Sequence, residues 1–285
     1  MVSELPDVQH SMKPEVEIPI KQVGVQNVKT PIIIDSMYGG SHEVLSTISM
    51  STDLRADMKG ISMSMLTRTL TNYLEKPLKQ GILKCILSDF KTAVETESED
   101  SFIRFDFELP VSKKSPKSGF VFPQYYQCSF EGRMTGIDFR FFEKVIVQYA
   151  SYCPCSASLC DHLEEGGNKG FPHAQRCFAE VLIEVLPGNI IWLEEIINLV
   201  EGAVKTIPYP ILRRIDEQEL ARVAGLNQMF VEDAIRKISN ELNLYSDYIK
   251  DWIVKCTHEE SIHTSDAIAI NWKGIDGGFN GTKFL

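Results

Sequence analysis

The sequence predicts an α+β protein made of two successive ββααββ units, antiparallel sheet with helices packed on one face. Three observations carry this. From Ser101 to Leu109, Phe102, Arg104, Asp106 and Glu108 alternate with Ile103, Phe105, Phe107 and Leu109, the period of a strand. Met63, Leu66, Leu70 and Leu74 recur at helical spacing. The order strand–strand–helix–helix–strand–strand then returns in the second half, without residue-level identity between the halves. No Gly-rich phosphate fingerprint of a βαβ nucleotide fold is present.

The elements follow in order. Residues 1–14 form an irregular arm. The first unit spans 15–132. Ile18, Ile20, Val23 and Val25 mark a strand within Glu15–Lys29, and Val44, Leu45, Ile48 and Met50 another within Glu43–Leu54. Asp57-Met58-Lys59-Gly60 breaks the pattern before a helix over 61–78. A second helix covers Lys84–Glu95, with Ile86, Phe90 and Val94 on one face. The strand at Ser101–Leu109 turns at Lys113–Gly119 and returns over Phe120–Gly132. The second unit spans 133–273. Strands are expected at Ile137–Tyr149 and Gln175–Val185, then a turn at Pro187-Gly188-Asn189. Helix follows at Ile190–Val204 and within Asp216–Leu242, and strands close the unit at Tyr248–Cys256 and Asp266–Trp272. The Gly-rich tail, 274–285, is expected to be loose.

At 285 residues with 44% apolar content, the chain has the composition of a globular protein of one large or two ordinary domains. A formal charge of −10 and a pI near 5.2 argue against a general nucleic-acid binder. They leave room for an anionic nucleotide in a local basic pocket. The N-terminus lacks the pattern of a secretory signal. No apolar run approaches the roughly 20 residues of a membrane helix. Seven cysteines, an odd number in a large chain, fit reduced thiols in a cytoplasm better than a disulfide framework.

Chemistry is concentrated in a few places. Cys153-Pro154-Cys155-Ser156 sets two thiols about one proline, and His173-Ala174-Gln175-Arg176 follows after a loop. Sulfur and imidazole nitrogen suit Zn2+ or Fe2+. An extended tripeptide would project Cys153 and Cys155 to the same side. Buried unreactive thiols with Pro154 shaping a turn account for the spacing equally well, and a four-thiolate site with Cys160 and Cys177 is a further alternative. A second cluster, His258-Glu259-Glu260-Ser261-Ile262-His263, places carboxylate and imidazole three residues apart, for metal binding and proton movement. A solvated polar turn is the plain alternative. Leu212-Arg213-Arg214-Ile215-Asp216-Glu217 reads first as a helix start with acids in the first turn, where the macrodipole favours them, and Phe230-Val231-Glu232-Asp233 as an amphipathic helix with exposed acids.

Taken together and in order, these segments resemble the GTP cyclohydrolase IB family. The resemblance rests on Leu5-Pro6-Asp7-Val8-Gln9, Ile18-Pro19-Ile20 with Val23-Gly24-Val25, Cys153–Ser156, His173–Arg176, Leu212–Glu217, Phe230–Asp233 and Glu260–His263. It runs from the arm to about Asp266. It implies a tunnelling fold (T-fold), assembled as a homo-oligomer, expected to be a tetramer, with active sites at subunit interfaces. It implies a divalent-metal hydrolase, with Zn2+, Mn2+ or Fe2+, that opens the imidazole ring of GTP. The products are formate and 7,8-dihydroneopterin triphosphate, at the entry to folate and pterin synthesis. By the family pattern Cys153, His173, Glu217 and His263 are the metal ligands, and Glu232 anchors the guanine. Glu260 assists proton transfer, with Cys153 and His263 also in the catalytic set and Cys155 close to the metal. Lys59, Arg176, Arg213 and Arg214 are the candidate cations for the triphosphate.

Two departures stand out. Where the family has Lys-Gly-x-His-Met-Ser-Arg, this chain has Lys59-Gly60-Ile61-Ser62-Met63-Ser64-Met65, so Ser62 and Met65 replace polar groups suited to phosphate. The segment 157–170, with Asp161-His162-Leu163-Glu164-Glu165, is longer than usual and acidic. It is read as a loop that covers the site or alters access, and His162 as a loop histidine rather than a surplus ligand. The departures leave two alternatives open: a related T-fold enzyme on another purine or pterin, and a non-catalytic metal- or purine-binding protein.

Overall fold

A computed structural model of the chain describes residues 8–94, 98–167 and 169–284. The first three positions of the Leu5–Gln9 motif lie outside the described residues. A single helical turn, α1 (Val8–Ser11), precedes β1 (Ile20–Asp35) and β2 (Ser41–Leu54), then α2 (Met63–Thr71) and α3 (Gln80–Ala93). Strands β3 (Asp100–Lys114), β4 (Val121–Thr135) and β5 (Asp138–Tyr152) follow, then α4 (Pro154–Glu165) and β6 (Ala174–Val185). Helices α5 (Leu193–Val204), α6 (Arg214–Leu226) and α7 (Val231–Leu244) precede β7 (Ile249–Glu260) and β8 (Asp266–Trp272). A 3-10 turn at Gly281–Phe284 ends the described chain. The eight strands hydrogen-bond in sequence order, and the pairings β1–β2, β2–β3, β6–β7 and β7–β8 are antiparallel. The chain is α+β, with helices between pairs of antiparallel strands, as the alternation and the helical spacing predict.

The chain divides into two compact units: residues 1–108 with 129–142, and residues 109–128 with 143–285. In the first, α3 buries Leu83, Ile86, Leu87 and Phe90 at helical spacing. The Ser101 hydroxyl donates to the Leu87 carbonyl at 3.0 Å, fastening β3 to that helix. In the second, α7 buries Val231, Ala234, Ile235, Ile238 and Leu242, an unbroken helical stripe. It packs against α5, β7 and β8. Each fully buried Ile or Leu contributes about 1.5–3 kcal/mol, so this stripe holds α7 and the site residue at its start in place.

The second half departs from a plain ββααββ order. Its crossover holds three helices, because Asn227 breaks the helical run: its side chain donates to the Val204 carbonyl at 2.6 Å. Asp233 then accepts the Phe230 N–H at 3.1 Å and starts α7 afresh. The segment read as a loop after Cys155 is largely the helix α4. The Gly-rich tail is anchored rather than loose. Asp251, fully buried on β7, accepts the N–H groups of Gly274 at 3.1 Å and Phe279 at 2.6 Å. A Cβ at Gly278 would collide with Asp251 Oδ2, so only glycine fits. Among the described residues no helix is long and apolar enough to cross a membrane.

One buried acid on β5 makes a prediction. Glu143 is 4% exposed, and its Oε2 has no hydrogen-bond partner. Burial, reinforced by the neighbouring Glu195 and Glu194 carboxyls, pushes its pKa well up. The unfolded chain releases this proton near pH 4.3, while the folded chain keeps it. Stability is therefore lost as pH rises above about 4.3 toward the raised value, by up to about 1.4 kcal/mol per pH unit. Glu143→Gln is expected to flatten that slope. Urea unfolding at pH 5 and pH 8 checks it: the stability difference between variant and wild type should grow toward pH 8. A constant difference contradicts the assignment.

Candidate functional site

The site residues meet where the end of β5, the start of β6, the end of β7 and the start of α7 come together. Strand β5 runs out at Tyr152, and Cys153 follows in extended backbone at φ −71°, ψ 119°. Proline disfavours helix in the residue before it and suits the first position of a helix. Pro154 therefore makes Cys153 the N-cap of α4, and the Cys153 carbonyl accepts the Ala157 N–H at 3.0 Å. The tripeptide is therefore not extended throughout: Pro154 and Cys155 are helical. Cys155 lies within the first turn of α4 and is exposed, while Cys153 is half-buried.

Cys153 and His173 are neighbours across the β5–β6 connection. The Cys153 N–H donates to the His173 carbonyl at 3.3 Å, and the His173 N–H donates to Ser156 Oγ at 3.3 Å. The His173 ring is turned inward, and its buried Nδ1 has no hydrogen-bond partner. Glu260 Oε2 lies 3.6 Å from it, beyond hydrogen-bond reach. Leaving a buried polar atom unpaired costs about 1–3 kcal/mol, a cost that coordination removes. A half-buried thiol and an uncommitted imidazole nitrogen are donor types suited to Zn2+, Fe2+ or Mn2+. Cys153 and His173 therefore fit a divalent cation as a partial ligand set. Among the described residues, no group of three or more His, Cys, Asp or Glu side chains in this chain is arranged to hold a metal. Glu217, in the first turn of α6, and His263, in the β7–β8 turn, are exposed.

Behind His173 lies a buried polar chain. Glu260 Oε1 accepts from Gln175 Nε2 at 2.5 Å. Gln175 Oε1 is 2.9 Å from His258 Nδ1, and His258 Nε2 is 2.8 Å from the Tyr149 hydroxyl. Burial lowers the His258 pKa to about 4, against the opposing pull of the Glu260 and Glu232 carboxylates. Strand register builds this order: Gln175 pairs with Glu260 and Cys177 with His258 across β6–β7. In the sequence Gln175 and His258 fall within the two polar motifs but without a role of their own, and Tyr149 lies outside any motif. The available signal was period two, which puts His258 on the same strand face as Glu260 and Tyr149 on that of Val145 and Val147.

Glu232 joins the same corner. The Ser151 hydroxyl donates to the Met229 carbonyl at 2.6 Å, and the Met229 N–H donates to the Tyr152 carbonyl at 3.3 Å. These two bonds pin the start of α7 beside Cys153. Glu232 is exposed in the first turn of α7, where the helix N-terminus favours a carboxylate.

The candidate cations are spread more widely. Arg176 is exposed and pairs in register with Glu259, on the opposite strand face from Gln175. The Arg213 guanidinium stacks on the Phe120 ring at 4.5 Å, and Arg214 is exposed. Lys59 is exposed in the first unit, just before α2. Asp216, beside Glu217, serves the fold. It accepts the N–H groups of Arg213, Lys117 and Ser118, each at 2.8 Å, and the Ser118 hydroxyl at 2.6 Å. Burial opposes its ionisation, but these bonds outweigh it and hold the pKa well below the usual carboxylate range. His162 faces solvent on the helix α4, 3.6 Å from Glu165.

Comparison with known proteins gives a consistent result. The family model described as type I GTP cyclohydrolase folE2 matches residues 5–269. The GTP cyclohydrolase FolE2 of Paracoccus denitrificans is 32% identical over 277 residues, covering 95% of this chain and 85% of that protein. That of Cereibacter sphaeroides is 32% identical over 276 residues, covering 95% and 76%. Among solved structures, the uricase of Arthrobacter globiformis aligns with a TM-score of 0.58 at 6% identity, covering 94% of this chain and 98% of that one. A Bacillus sp. TB-90 urate oxidase aligns at 0.51 and 8% identity, covering 89% and 99%. At such identities the likeness is one of fold alone, and the shared fold is the T-fold.

Proposed function

Since this chain belongs to the type I GTP cyclohydrolase folE2 family, we propose that it is a cytoplasmic type IB enzyme of folate and pterin synthesis. It opens the imidazole ring of GTP, releasing formate and forming 7,8-dihydroneopterin triphosphate. The observation that best supports this reading is the buried, uncommitted His173 Nδ1 beside Cys153 and Glu260. Purine C8 is a weak electrophile, and a divalent cation supplies what is missing by lowering the pKa of coordinated water toward neutrality. Cys153 and His173 would hold the cation, and Glu217 and His263, exposed in a single chain, would supply further ligands in a homo-oligomer of four chains with sites at subunit interfaces.

The remaining residues act on the substrate. Guanine offers two adjacent donors, N1–H and the 2-amino group, and the two oxygens of Glu232 accept both. Glu260 has Oε1 occupied by Gln175. Its Oε2, on the His173 side, takes and returns the proton. Lys59, Arg176, Arg213 and Arg214 supply positive charge for the triphosphate, in a protein whose net charge is −10.

Incubation with GTP and Mn2+, Zn2+ or Fe2+, following formate and the fluorescence of the oxidised pterin, tests the reading. Both products are expected in equal amounts. No turnover with any of the three metals overturns it.

A further inference from the structure

Tyr149 and His258 are each 1% exposed and Gln175 is 6% exposed, so their polar atoms are out of reach of bulk solvent and pair with one another. Chemistry sets the direction of the chain. Gln175 Nε2 donates to Glu260 Oε1, so the amide oxygen of Gln175 faces His258. Gln175 Oε1 also only accepts, so the His258 proton sits on Nδ1. That leaves His258 Nε2 as an acceptor and the Tyr149 hydroxyl as its donor. The Cys256 thiol also interacts with the Tyr149 hydroxyl. The neutral ring that burial enforces is the form this order requires. No group in the chain can reverse alone.

We infer that Tyr149, His258 and Gln175 are positioning residues: they hold the Glu260 carboxylate with Oε1 tied and Oε2 directed to His173. The inference rests on the proposed reaction for the task of Glu260 and on the hydrogen-bond chain for everything else. Gln175 and His258 stand on paired strands and are locked by that register, the rigid support a reacting group needs. Loss of orientation by about 1 Å costs about 100-fold in rate.

Two measurements on the full-length protein test it. The first is the nitrogen-15 NMR signature of His258 in the wild type at neutral pH. A proton on Nδ1 with Nε2 bare is expected, and a proton on Nε2 overturns the proposal. The second compares His258→Leu with His258→Asn, whose amide N–H replaces the Nδ1 donor. His258→Leu should lower kcat about 100-fold with KM for GTP within about twofold, and His258→Asn should recover to within about tenfold of wild type. Equal losses in the two variants, or a loss expressed in KM, overturn the proposal. If wild-type protein releases no formate from GTP, the functional reading fails and the tautomer alone decides this one.

Discussion

Cys153→Ala is expected to lower GTP turnover roughly a thousandfold or more and to abolish tight binding of Zn2+, while Cys155→Ala leaves metal binding intact. The two thiols are two residues apart but differently placed. Cys153 caps α4 beside His173 and is half-buried, whereas Cys155 is exposed in the first helical turn. Thiolate is the soft donor that makes a mixed site prefer such metals. Alanine at 153 keeps the backbone bonds to His173 and Ala157, so the fold survives and the loss is chemical. Metal content after dialysis, read beside formate release, checks both variants. Equal losses in Cys153→Ala and Cys155→Ala would remove the distinction.

Asp251→Ala is expected to cost about 3–5 kcal/mol of stability and to release the C-terminal segment. Asp251 is fully buried and collects the N–H groups of Gly274, Phe279 and Trp252. Without it, two loop donors lose their acceptor and a cavity opens beneath β7. Gly278→Ala attacks the same contact from the other side, since its Cβ would occupy the place of Asp251 Oδ2. Urea unfolding reports the stability, and limited proteolysis near residue 274 reports the release. A tail as resistant as wild type in both variants would contradict the anchoring role.

The sequence was most legible where one periodicity dominates. Ile103, Phe105 and Phe107 mark β3 by alternation, and Ile86 and Phe90 mark α3 by helical spacing, because each has one buried face. Helix α4 escaped because Ala157 is its one buried residue, so no apolar stripe announces it. The break between α6 and α7 escaped because it depends on the reach of Asn227 to the Val204 carbonyl. The tail was read as loose because its anchor, Asp251, lies more than twenty positions upstream. At the site, Cys153, His173 and Glu260 were visible as residue types, and the fold brings these three together. Gln175, His258 and Tyr149 act through cross-strand register, which a one-dimensional pattern does not carry.

The proposed metal chemistry turns on a sulfur–metal bond at Cys153. Co2+ reports it directly, because a thiolate ligand adds a charge-transfer band in the near ultraviolet that nitrogen and oxygen ligands lack. Titrating the wild type, Cys153→Ala and Cys155→Ala with Co2+ should give the band in the first and third and not in the second. A band that survives Cys153→Ala, or that is absent from Co2+-bound wild type, would contradict the metal site described above.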